Sequence, residues 1–233
     1  MKKKISIVIP ILNEERNISV LCKKISKVLN NEIYEILFVD DNSEDNSKKI
    51  LKKLSLKNKR INFIIRKHKI KDLTQSCFLG IEKSQYNNIL IMDGDLQHDP
   101  EDILKLLKKY NSNYDIVIGT RKFNKINSKN FSNLRLFATK LLIIIFNFIS
   151  KKNFTDPMSG FFIFKKEIYL KNKKKFYGKG FKILADILCN SKNLNYLEVN
   201  INFKKRSQSL SKMNIKVLFL LLIFIFRILI KKD

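Results

Sequence analysis

The sequence predicts an α/β domain built on a doubly wound sheet, and two observations carry that expectation. Short β-branched apolar runs alternate with segments of helical apolar spacing, at intervals of roughly 25–30 residues. Acidic or amide residues follow three of the runs, at Asn13-Glu14, Asp40-Asp41 and Asp93-Gly94-Asp95. In a parallel sheet such strand ends share the edge at which ligands bind. With 233 residues the chain accommodates one substantial domain and an appendage.

Residues 5–10 form a β-branched run stopped by Pro10, which reads as a buried strand. Asn13 is placed to cap a helix reaching residue 29, because Ile18, Leu21, Cys22, Ile25 and Val28 repeat at helical spacing. A second strand spans 33–39, and Ser43 is placed to cap a helix over 44–56. A third strand and helix follow at 61–65 and 73–84. The apolar run 89–92 ends in Asp93-Gly94-Asp95, and Pro100 marks the start of the next helix.

Residues i and i+2 of a strand point the same way. If strand geometry persists through Gly94, Asp93 and Asp95 converge, and paired carboxylates suit a hard divalent cation that also carries phosphate oxygens. A bare D-x-D is otherwise a turn with two solvated acids. Its position at the end of a buried strand, among other acid-terminated strands, favours the cation.

Downstream, 115–121 reads as a strand ending at Arg121. Residues 134–149 form an apolar helix interrupted by Arg135 and Lys140, suited to a core or to a membrane interface, with the interface preferred. A turn at 156–160 leads into a strand, a helix covers 180–189, and an alternating strand covers 196–203. The tail, 217–230, is apolar on all sides apart from Arg227. At about 21 Å it falls short of the roughly 30 Å hydrocarbon core. It reads as a membrane-docked helix whose basic flanks reach the headgroups, with a buried or dimer helix as the alternative. The chain thus divides into a domain over 1–213 and a C-terminal helix over 214–233.

The charge is extreme: 47 Lys and Arg against 21 Asp and Glu, a net +26. Part of it reflects the Lys-, Asn- and Ile-rich composition expected of an AT-rich genome, and part an attraction to anionic membrane. No zinc-finger spacing or RNA-binding aromatic signature supports nucleic acid. Cys22, Cys77 and Cys189 are scattered and form no C-x-x-C, which fits a reducing cytosol. No signal peptide is expected from the short run after Lys4. G-x-G-x-x-G and Walker loops are absent from the sequence. A carboxylate-lined crevice lacking them needs a metal to accept a nucleotide diphosphate.

Residues 7–14, 38–43 and 93–98 resemble family 2 glycosyltransferases of the GT-A fold, a Rossmann-like single domain. Three further stretches narrow the resemblance to dolichol- and polyprenyl-phosphate sugar synthases. Lys71-Asp72-Leu73-Thr74 is similar to R-D-L-S, 156–161 to D-x-x-S-G-F, and 206–212 to R-x-x-G-x-S-K. Lys71 stands where the pattern has arginine, and Ser209 where it has glycine.

The resemblance implies an inverting transfer of mannose or glucose from GDP-mannose or UDP-glucose to a polyprenyl phosphate, at the cytoplasmic face of a membrane. It implies that Asp93 and Asp95 hold Mg²⁺ or Mn²⁺ with Gln97 as third ligand, and that Pro10, Asn13, Glu14, Asp40, Asp41 and Asp72 line the nucleotide pocket. Arg121, Arg206 and Lys212 become phosphate clamps, acting with Asp95 in catalysis. Ser159 and Gly160 let the backbone approach the substrate. His98 either reaches the metal or phosphate or is structural, and Asp186 either faces the sugar or is a helix surface charge, with the surface charge preferred. The alternatives are a family 2 transferase with a polysaccharide acceptor and, more distantly, a non-catalytic basic protein that binds nucleic acid or membrane.

Overall fold

The computed structural model describes residues 3–110, 113–121, 143–148, 150–180, 183–191 and 193–204. Its elements alternate as the sequence pattern requires. Strands β1 (Lys4–Ile11), β2 (Ile33–Asp40), β3 (Ile61–Ile65) and β4 (Asn88–Ile91) are separated by helices α1 (Glu15–Val28), α2 (Ser47–Lys57) and α3 (Leu73–Lys83). Then come α4 (Asp102–Lys109), β5 (Ile116–Arg121), a helical segment at 143–148, β6 (Phe162–Lys165), α5 (Lys166–Asn172), α6 (Ile183–Asn190) and β7 (Tyr196–Ile201).

The seven strands form one sheet in the order β3-β2-β1-β4-β6-β5-β7. Side-chain alternation along each strand divides the core between two faces. Ile5, Ile7 and Ile9 of β1 meet α1, α2 and α4 through Ile18, Leu21, Ile25, Leu51, Ile103 and Leu106. Val8 and Val39 face the other way, toward Cys77 and Ile81 of α3 and Ile183, Leu184 and Ile187 of α6.

The sheet is mixed, which corrects the parallel expectation. β6 runs antiparallel to both β4 and β5, with Ile91 and Ile118 each opposite Phe162. Phe162 and Phe164 pack on one face, and Phe161 and Ile163 on the other. A short strand apolar on both faces carries no mark of its direction. α5 was not expected either. Its helical face is only Ile168 and Tyr169, too short a stripe for a periodicity to register.

Helix starts also differ. Asn13 does not cap α1: it adopts φ 55°, and its Oδ1 accepts Glu44 N–H at 2.8 Å. Ser43 does not cap α2, which begins at Ser47 with that residue's N–H bonded to Asp45 Oδ1 at 2.9 Å. In both places the side chain bridges two loops instead of serving its own helix.

Among the described residues no helix is long and apolar enough to cross a membrane. In the segment at 143–148, Phe146 is buried while Ile144 and Phe148 are 65% and 82% exposed. The rest of the expected 134–149 helix and the whole 217–230 tail lie outside the described residues.

Gly80 sets how closely α3 lies on the sheet. A Cβ there would stand 2.4 Å from Val8 Cγ1 and 3.0 Å from Val39 Cγ2. Gly80→Ala is expected to cost about 1–3 kcal/mol by overpacking. Urea denaturation should show the Gly80→Ala, Val8→Ala double variant less destabilised than the sum of the two single ones.

Candidate active site

The acid-bearing strand ends do lie on one edge of the sheet. β1 and β2 run side by side with Ile11 opposite Asp40, and Met92 N–H, just past β4, bonds Val8 O at 3.1 Å. Each loop is then shaped by the donors its carboxylates require, since a buried carboxylate without donors is costly.

Asp40 is fully buried and accepts the N–H of Ser43 at 3.0 Å and the Ser43 hydroxyl. Asp41 accepts Arg66 Nε at 2.7 Å on Oδ1 and the Asp72 N–H at 2.5 Å on Oδ2. Burial raises the Asp41 pKa, the Arg66 charge opposes that rise, and the Asp72 charge adds to it. Asp72 caps α3 through Gln75 N–H at 3.0 Å, and its other oxygen accepts Gly180 N–H at 2.8 Å. The carboxylates of Asp41 and Asp72, both expected in a nucleotide pocket, are therefore joined to protein donors that fix the pocket's loops.

On the β1 side, Pro10 is buried in the strand and Glu14 is buried just after it. Glu14 N–H bonds Ser47 Oγ at 3.1 Å, Glu14 Oε2 accepts Asn17 Nδ2 at 2.6 Å, and Asn13 N–H bonds Ser43 Oγ at 2.8 Å. The loops after β1 and β2 are thereby interlocked.

The Asp93-Gly94-Asp95 segment is a turn, not a continuation of β4, and Leu96 takes φ 62°. Strand alternation is therefore not what orients its two acids. Asp95 is buried and accepts Gln97 N–H on Oδ1 at 3.1 Å. Gln97 Nε2 donates to Lys204 O at 3.1 Å, which turns the amide oxygen to other partners. Asp93 is about one-third exposed, and its carboxylate sits where a side chain on Gly160 would be. A Cβ at Gly160 would come within 2.4 Å of Asp93 Oδ2 and 2.8 Å of Oδ1.

His98 Nε2 lies 3.5 Å from the same Asp93 Oδ2, and the His98 ring is 1% exposed. Asp93 is also near Arg121 and Cys77. The Arg121 pKa is raised: burial lowers it, and the Asp156 hydrogen bond and charge, with the Asp93 charge, outweigh that. Burial pushes the Cys77 thiol well up, and Asp93 and Asp72 add to the rise.

Two carboxylates with an amide oxygen nearby are a hard-oxygen set that fits Mg²⁺ or Mn²⁺. Among the described residues no group of three or more His, Cys, Asp or Glu could hold a metal. Beyond Asp93, Asp95 and the Gln97 amide oxygen, the remaining oxygens would have to come from a ligand or water.

Ser159 Oγ donates to Gly119 O at 2.6 Å and accepts Phe161 N–H at 3.2 Å, so its hydroxyl holds the turn that presents Gly160. Arg121 has a different first partner from the phosphate expected of it. Its Nε and Nη2 each bond Asp156 at 2.7 Å, a two-point pair with an almost wholly buried acid, and its guanidinium lies over the Phe203 ring. Asp186 is also not a surface charge: it is buried and accepts the N–H groups of Tyr177 and Gly178 at 2.9 and 2.8 Å. Arg206 and Lys212 lie outside the described residues. Arg66 and Asp156 were missed as site-forming residues. The signal for Asp156 lay in its own D-x-x-S-G-F stretch, and Arg66 had none among so many basic residues.

With this geometry in view, the comparisons with known proteins are direct. Residues 6–172 match the family described as Glycosyl transferase family 2. The chain belongs to glycosyltransferase family 2. Over 97% of its length this transferase is 33% identical to the dolichol-phosphate mannosyltransferase of Pyrococcus furiosus, of whose length it spans 64%. It is 27% identical to the Saccharomyces cerevisiae dolichol-phosphate mannosyltransferase, covering 91% of this chain and 82% of the yeast protein.

Among solved structures, the transferase superposes with a TM-score of 0.72 on glucosyl-3-phosphoglycerate synthase from Mycobacterium tuberculosis, in complex with Mn²⁺, UDP-glucose and glycerol 3-phosphate. At 14% identity, covering 98% of this chain and 79% of that one, the likeness shows the fold.

Arg121→Met would leave the buried Asp156 carboxylate without its cation. The expected loss is about 3–5 kcal/mol of unfolding free energy, measured by urea denaturation.

Proposed function

We propose that this transferase moves a sugar from a nucleotide sugar to a polyprenyl or dolichyl phosphate at the cytoplasmic face of a membrane. One observation carries the acceptor class: the likeness to a protein named dolichol-phosphate mannosyltransferase runs along 97% of the chain. The same likeness favours GDP-mannose over UDP-glucose as donor.

In this reading Pro10, Asn13, Glu14, Asp40 and Asp41 wall the nucleotide pocket, with Asp72 bracing it from α3. Asp93, Asp95 and the Gln97 amide oxygen hold Mg²⁺ or Mn²⁺. When bound, the cation stabilises charge on the leaving diphosphate. The acceptor phosphate is already an anion, so no side chain has to remove its proton. The protein's task is to orient the two substrates and to place positive charge around the phosphates. Arg206 and Lys212 supply that charge as clamps, one a fork and the other a point charge. Arg121 contributes as a half-buried positive charge near Asp93, with the fork of its guanidinium on Asp156. Gly160 lets the backbone approach the reacting groups. A single in-line attack on the anomeric carbon inverts it.

The purified chain is expected to convert labelled GDP-mannose or UDP-glucose, with Mn²⁺ and undecaprenyl or dolichyl phosphate, into an organic-soluble product. Asp95→Ala should lower that rate by about 100-fold or more while the thermal melt stays cooperative. Unchanged turnover in the variant would remove Asp95 from the metal site.

Membrane attachment is assigned to the apolar 217–230 tail with its basic flanks, helped by exposed Ile144 and Phe148. Truncation after Asn214 should reduce co-sedimentation with phosphatidylserine-containing vesicles. Equal sedimentation of the two forms would discard the tail as an anchor.

A further inference from the structure

The His98 ring is enclosed by two segments distant in sequence. Phe161 stacks on it at 5.1 Å with planes 22° apart, and Phe203 meets it edge-on at 5.1 Å and 65°. A backbone bridge pairs residue 98 with residue 203. Nδ1 is buried without a partner, so the ring offers chemistry only at Nε2, and Nε2 faces Asp93 Oδ2 at 3.5 Å. The partner there is an acceptor, which puts the proton on Nε2. On its other side the same carboxylate fills the space left by the missing side chain of Gly160. Gly160 and Phe161 are consecutive, so one turn supplies both the space for the acid and the stacking face for the imidazole.

We propose that His98 is a positioning residue for Asp93: the clamped imidazole holds the carboxylate in its slot beside Gly160 and thereby sets how tightly the site grips its divalent cation. This rests on the reading of Asp93 as a metal ligand given above. A side chain that merely filled this apolar sandwich would need no polar edge, whereas here the one accessible nitrogen is aimed at an acid of the site. At 3.5 Å the contact is longer than a hydrogen bond as it stands, a close polar approach of the ring nitrogen to the acid. Partners of this kind, one shell away from a metal, act by fixing the ligand's direction.

The test compares wild type with His98→Phe, His98→Gln and His98→Asn. Mn²⁺ is titrated calorimetrically into each in the presence of saturating GDP and, in parallel, UDP, with thermal melts alongside. Phenylalanine keeps the stacking and loses the donor. His98→Phe is therefore expected to melt within about 4 °C of wild type yet bind Mn²⁺ about 10–100-fold more weakly. Glutamine carries an N–H at the reach of Nε2 and asparagine does not, so His98→Gln should bind more tightly than His98→Asn. If His98→Phe fails to fold, the Gln and Asn pair decides the matter.

Mn²⁺ affinity within about twofold of wild type in His98→Phe, or equal affinity in the Gln and Asn variants, overturns the proposal. A wild-type chain that binds Mn²⁺ with neither nucleotide would remove the nucleotide-site reading itself. Wild-type binding that is indifferent to His98 removes only the positioning role.

Discussion

Carboxylates crowded onto one sheet edge must each find donors, and the loops of this protein take their shape from that requirement. Asp40 draws in Ser43, Asp41 draws in Arg66 and the Asp72 backbone, Asp72 reaches Gly180, and Asp156 pairs with Arg121. All but the Asp40–Ser43 bonds link residues far apart in the chain, so the edge behaves as one connected object. Low dielectric makes each bond stronger and each missing partner more expensive. The site is consequently rigid where the protein is self-satisfied. Asp93, by contrast, is left partly exposed.

This arrangement also separates two kinds of basic residue. Arg66 and Arg121 are tied to acids and serve as architecture. Among the described residues most of the remaining positive charge lies on exposed lysines, which are screened individually and sum to a positive field. The two kinds differ in what they do: paired arginines keep acids in place, and the exposed lysines set a diffuse positive field around the domain. The net charge alone could not distinguish these roles.

Much of the fold was legible in the chain because strand and helix periodicities differ and because proline and acids punctuate the strand ends. β1 to β4 and their helices follow the apolar pattern closely. What could not be read was anything that depends on partners distant in sequence. The direction of β6 is set by its neighbours, since residues 162–165 are apolar whichever way they run. The acids after the strands were visible as candidates, but not that Asp72 would cap α3 or that Arg121 would turn to Asp156. Asp186 looked like a surface charge because its helix gives no sign of the two backbone N–H groups that reach it from the preceding loop. His98 was ambiguous for the same reason: Phe161 and Phe203 are 63 and 105 positions away, and only folding brings them together.

The reversal of β6 has a consequence for how such a protein can diversify. β5 ends at Arg121 on the acid-bearing edge, and β6, running the other way, begins on that same edge at Phe162. The chain therefore leaves the sheet after Arg121 and rejoins it at Phe162, at neighbouring points of one edge. An excursion anchored in this way can lengthen, shorten or change composition without disturbing strand register. Its final turn, at Ser159 and Gly160, is delivered to Asp93 regardless. Length and composition here can thus change while the interlocked loops after β1 and β2 keep their shape.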